Sequence, residues 1–117
     1  MATLDLTAET MPAVLESNSI VLVDFWAEWC APCRAFAPIF AEASEAHPDV
    51  VFGKVNTEVE QMLASAARVQ SIPTLMAFRD GVLVFARAGV QPRANLDLLI
   101  ETVRALNMDE VRSGVSA

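Results

Sequence analysis

Residues 20–27 are apolar at every position but one, in the order Ile20-Val21-Leu22-Val23-Asp24-Phe25-Trp26-Ala27. That is the pattern of a strand covered on both faces. Before it, Met11, Val14 and Leu15 fall at helical spacing within residues 7–17, with Thr7 placed to cap and Glu9 or Thr10 in the first turn. After it, Pro32 suits a first helical turn, where its missing N–H costs nothing. The spacing predicts a helix from there to about His47, with Phe36, Ile39, Phe40, Ala43 and Ala46 on its inner face and Pro38 bending it. A second strand is expected within residues 49–56, and then a helix over 58–68 with Val59, Met62, Leu63 and Ala66 turned inward. Two apolar runs, 74–79 and 82–87, flank Asp80-Gly81, a hairpin signal. Gly89 breaks the chain, and Pro92 or Arg93 opens a last amphipathic helix carrying Leu96, Leu99, Ile100 and Val103 to about Leu106. The order βαβα, hairpin, α, with a further strand and helix in front, predicts an α/β domain whose mixed sheet is covered by helices on both faces.

Length and charge narrow this picture. A chain of 117 residues with 54% hydrophobic positions is one domain with a core, not a disordered segment. We assign residues 1–106 to the domain and 107–117 to a short C-terminal tail, expected to be loosely held. The net charge of −7 argues against nucleic acid or an anionic membrane as the main partner. Residues 1–6 lack a basic and then apolar leader pattern, and no stretch approaches the roughly 18 apolar residues of a membrane span. A soluble cytoplasmic protein is the expectation, with neither membrane nor nucleic acid as partner.

Chemistry is concentrated at Trp29-Cys30-Ala31-Pro32-Cys33, which holds both cysteines of the chain. A CxxC pair at a strand-to-helix turn can close and reopen a disulfide. Residues i and i+3 of a first helical turn lie within bridging range, and the free N–H groups of that helix end favour a thiolate. Cys30, at the exposed start, is the expected attacking thiol, and Cys33, one turn in, the less accessible partner. Pro32 stiffens the spacer. Two plainer readings stand beside this one. A zinc half-site would need two more ligands, and the chain offers only His47 and distant carboxylates. A purely structural disulfide would close so short a loop that it adds little stability.

With Val21-Leu22-Val23-Asp24-Phe25-Trp26-Ala27-Glu28 before the pair, the segment closely resembles the thioredoxin family. The likeness continues through Arg34, Pro38, Lys54-Val55-Asn56, Ser71-Ile72-Pro73-Thr74, Phe78-Arg79-Asp80-Gly81 and Gly89, and covers residues of about 5 to 106. It implies the thioredoxin fold, a central mixed sheet of about five strands flanked by four helices. It also implies a protein-disulfide reductase that binds no cofactor and no metal, acts on disulfide-containing target proteins as a monomer, and receives electrons from a thioredoxin reductase.

The resemblance assigns roles residue by residue. Asp24 would accept the proton of Cys33. Physically, a carboxylate in so apolar a strand is costly when charged, which raises its pKa toward the range of a general base, unless the position is a solvated edge. Lys54 would tune Asp24; on spacing alone it is equally an ordinary surface lysine. Pro73 would be a cis-proline beside the dithiol, although the residues alone show only an X-Pro bond before a strand. Trp29, Ala31, Ile72, Ala88 and Gly89 would surround Cys30 as a docking surface for an extended target segment, with Trp29 as a core aromatic the alternative. Ala31 departs from the glycine usual in the family's spacer, and Ala88 from a larger aliphatic residue. An oxidase or isomerase of the same fold, or a binding subunit that uses this surface without redox chemistry, are the rival functions.

Overall fold

In the computed structural model, which describes residues 2–114, the apolar run becomes the central strand of a five-stranded sheet. The elements are β1 (Thr3–Asp5), α1 (Met11–Ser17), β2 (Ile20–Trp26), α2 (Ala31–Ala46), β3 (Val51–Asn56), α3 (Gln61–Ala66), β4 (Thr74–Arg79), β5 (Val82–Ala88), α4 (Arg93–Arg104) and α5 (Met108–Arg112). The strands lie in the order β1-β3-β2-β4-β5. β1 and β2 run parallel to β3, β4 is antiparallel to β2, and β5 is antiparallel to β4. This is the mixed sheet the pattern predicts.

Because side chains alternate along a strand, β2 feeds two separate cores. Ile20 and Leu22 pack with Phe52 and Leu75, under Phe36 and Phe40 of α2 and Leu96, Ile100 and Val103 of α4. Val21, Val23 and Phe25 pack on the other face with Leu6, Met11, Val55 and Met76. The same alternation puts Asp24, fully buried, on the α2 face between Leu22 and Trp26. A charge is thus built into the floor beneath the helix that carries both cysteines. At the hairpin, Asp80 and Gly81 both take positive φ (52° and 80°), as a tight two-residue turn requires.

Three expectations change. The first helix opens at Met11, because Thr7 and Thr10 hydrogen-bond each other's backbone N–H through their hydroxyls (3.0 and 3.2 Å) and close a turn of their own. α3 is shorter than predicted and starts at Gln61, after the Asn56 side chain and carbonyl have held residues 58–60 in a turn. That later start rotates its inner face to Leu63, Ala64 and Ala67, and leaves Val59, Met62 and Ala66 exposed. Ala46, in the last turn of α2, is likewise exposed.

The segment expected to be a loose tail forms a fifth helix. Asn107 Oδ1 accepts the N–H groups of Asp109 and Glu110 (3.1 and 3.2 Å), Met108 is buried, and Arg112 reaches Asp80 of the hairpin at 3.4 Å. Residues 115–117 of that tail lie outside the described residues. A helix this short is held by its contacts rather than by propensity. Met108→Ala is therefore expected to lower stability by about 2 kcal/mol, at the low end for a buried methionine, read as a lower urea midpoint with unchanged slope.

Candidate active site

The site begins where β2 ends. Beyond Trp26 the chain turns through buried Ala27, whose carbonyl accepts the N–H of Cys30 (3.3 Å), and Arg34 clips the turn by donating to the Glu28 carbonyl (2.8 Å). Cys30 is the N-cap of α2, in extended backbone conformation, and its sulfur accepts the N–H of Cys33 at 3.2 Å. A thiolate there meets an unsatisfied amide and the positive end of a sixteen-residue helix. Cys30 and Cys33 are joined as a disulfide with Cα atoms 5.2 Å apart.

The cysteines are more alike in exposure than the sequence suggested, at 4% for Cys30 and 2% for Cys33. What separates them is the surface they meet. Cys30 lines an open groove of about 550 Å³ with Trp29, Ala31, Pro32 and Ile72, and Cys33 does not line it. Trp29 is 67% exposed at the rim of the groove it helps to line. Cys30 Sγ lies 3.7 Å from the Ile72 carbonyl oxygen, within reach of a thiol S–H in the reduced state.

The Ile72–Pro73 bond is cis, and Pro73 is buried at the start of β4. Its carbonyl accepts the N–H of Gly89 (2.8 Å), and Ala88 is the register partner of Thr74. Ala88 and Gly89 therefore sit next to Pro73 but outside the groove lining. The other wall of the groove is Thr57, Ala64, Val69, Gln70 and Ser71, which sequence reasoning missed. Only Ser71 lay in a recognisable motif. The remainder are brought in by the turn after β3 and by the end of α3.

Behind the pair lies the buried charge. Lys54 is the register partner of Asp24, and its Nζ stands 3.8 Å from Asp24 Oδ2 and 5.0 Å from the centre of the Trp26 ring. Neither carboxylate oxygen has a hydrogen-bond partner. Burial pushes the Asp24 pKa up from 3.8 to about 6, against the opposing pull of the Lys54 ammonium. His47, the one histidine, is far from this at the other end of α2, bonded to Asp97 of α4 at 2.8 Å.

A scan against family models matches residues 2–102 to thioredoxin. A protein of Streptomyces coelicolor named as a second thioredoxin is 50% identical over 115 residues, spanning 98% of this chain and 86% of the relative. The thioredoxin of Alicyclobacillus acidocaldarius is 39% identical over 87% of this chain and 98% of its own. Among solved structures, a single-substitution mutant thioredoxin from Halobacterium salinarum superposes with a TM-score of 0.83 at 35% identity, covering 90% of this chain and 93% of that one.

Proposed function

The chain belongs to the thioredoxin family, and from that premise we propose how its residues divide the work of disulfide exchange. The Cys30–Cys33 couple is the redox centre of a protein-disulfide oxidoreductase, acting on disulfide-containing proteins and recharged by a reductase partner. In our reading Cys30 is the nucleophile. Its thiolate attacks one sulfur of a target disulfide, forming a mixed disulfide and releasing the first target thiolate, which takes a proton. Cys33 then gives its proton to Asp24, directly or through one water, and attacks Cys30 Sγ. The second target thiolate leaves, and two electrons have passed from the pair to the target. The carrying observation is the Cys30 sulfur, which accepts a helix-terminal amide while facing an open groove.

The groove supports docking of an extended target segment between Trp29 and the Ile72 backbone, with Ala31, Ala88 and Gly89 at its borders. Lys54 tunes Asp24, and Pro32 and Pro73 hold the spacer and the strand start beside the couple. We further assign the protein to the cytoplasm as a monomer, with a thioredoxin reductase as its electron donor. No helix among the described residues is long and apolar enough to cross a membrane.

The test is the equilibrium potential of the couple, titrated at neutral pH against defined glutathione ratios. We expect a value near about −270 mV, the familiar benchmark of thioredoxins rather than a quantity obtained from this geometry. A value above roughly −200 mV would assign the protein to oxidants or isomerases instead.

A further inference from the structure

A second pocket, of about 420 Å³, opens on the β1 side of α2 and shares no lining residue with the groove beside Cys30. Its walls include Ala37, Pro38 and Ala41 of α2, with Trp26, Lys54 and Asp5 from the sheet. Asp5 is the register partner of Lys54 on β1, as Asp24 is on β2. Register partners in parallel strands project to the same face. Three strands therefore carry a row of carboxylate, ammonium and carboxylate, from exposed Asp5 through half-buried Lys54 to fully buried Asp24.

The ammonium in the middle is not locked to the inner end. Its distance to Asp24, 3.8 Å, exceeds that of a hydrogen bond, and both Asp24 oxygens lack a hydrogen-bond partner. We propose that Asp5 is a positioning residue of the exchange reaction. It offers the Lys54 ammonium a second carboxylate at the mouth of this pocket, and so governs how far that ammonium compensates Asp24. The inference rests on Asp24 being the acceptor of the Cys33 proton. When Asp24 takes up that proton, Lys54 loses its inner counter-charge and turns toward Asp5, and the proton leaves for solvent along the pocket rather than past the docked target. When Asp24 ionises again, Lys54 returns.

The groups that face this row are few. From α2 they are Ala37, Pro38 and Ala41, none of which titrates, and the thiol of Cys33 lies in the first turn of the same helix. From β2 comes Trp26 and from β1 Thr3, while β4 places Leu75 opposite Asp24. Among the described residues, Asp5, Lys54 and Asp24 are the charged groups of the pocket and its floor.

The experiment is Asp5→Asn in the full chain. The Asp24 titration is followed by carboxyl-carbon NMR of the oxidised protein, and the rate of disulfide reduction is followed from pH 5 to 8. Removing the outer carboxylate takes away the negative charge that draws Lys54 outward and that itself disfavours an ionised Asp24. The Asp24 midpoint is expected to fall by about half to one pH unit. The acid limb of the rate should move down with it, so that the rate at pH 5.5 rises relative to that at pH 7.5. Asp5→Glu should restore the wild-type midpoint, and in a Lys54→Met background Asp5→Asn should lose more than half of its effect. An Asp24 midpoint that ignores Asp5→Asn overturns the proposal, as does an equal shift with and without Lys54. Failure of the underlying reading shows separately, as an Asp24→Asn protein whose pH–rate profile matches the wild type.

Discussion

Cys30→Ser is expected to reduce a protein disulfide at less than about a thousandth of the wild-type rate, because a hydroxyl at neutral pH cannot supply the attacking anion. The loss is chemical and not structural. A serine hydroxyl is itself a good N-cap and can accept the Cys33 amide that the sulfur accepts now. The disulfide closes so small a loop that removing it costs little stability. The thermal midpoint of Cys30→Ser should therefore stay close to that of the reduced wild-type protein. Cys33→Ser should behave differently. Its Cys30 can still attack, but nothing resolves the product, so a covalent complex with the target accumulates and disappears when reductant is added. Non-reducing electrophoresis with a disulfide-bonded substrate reads both outcomes. Because the two cysteines differ so little in exposure, the assignment rests on the groove and the helix cap. Trapping by Cys30→Ser, with Cys33→Ser inert, would reverse the roles.

Local chemistry made much of this legible in advance. The apolar run around Asp24 reads as a central strand, and a CxxC that follows it on a helix start points to a redox turn. Register, by contrast, is a property of pairs of strands. The opposition of Lys54 to Asp24, and of Asp5 to Lys54, follows from how β1, β2 and β3 align, which no single segment encodes. The far wall of the groove was hidden for the same reason: Thr57, Ala64 and Val69 reach Cys30 through tertiary packing. Periodicity misphases α3 because its first residue is set by the Asn56 turn, and a few residues' delay in a short helix rotates every side chain after it. α5 escapes a reading by pattern because five residues carry too little periodicity, and its one local signal is Asn107, a cap before Asp109 and Glu110.

Asp24→Asn is expected to make the protein more stable at neutral pH while slowing its chemistry. In the folded chain burial raises the Asp24 pKa from 3.8 to about 6, so between those values the native state holds a proton that the unfolded state has released. Stability must then fall as pH rises through this window, with the full penalty present above pH 6 or so. A shift of that size corresponds to about 3 kcal/mol, and since asparagine brings its own unpaired amide, a gain of about 2 kcal/mol is the expectation at pH 7. The gain should vanish near pH 4, where wild-type Asp24 is neutral in the fold. Urea unfolding of both proteins at pH 4 and pH 7 measures it, and a gain that is equal at the two values would mean that Asp24 does not titrate as its burial requires. On the role proposed for Asp24, the cost is expected in the second step of exchange. Without a base that is largely ionised at pH 7, Cys33 must wait for spontaneous deprotonation, and release of the target should slow roughly ten- to a hundredfold. Raising the pH toward the ordinary thiol range should restore most of that rate, because Cys33 then ionises unaided. A stable protein that resolves its mixed disulfide slowly at pH 7 and nearly normally at pH 9 is the signature of a buried base kept at a thermodynamic loss for the sake of one proton transfer.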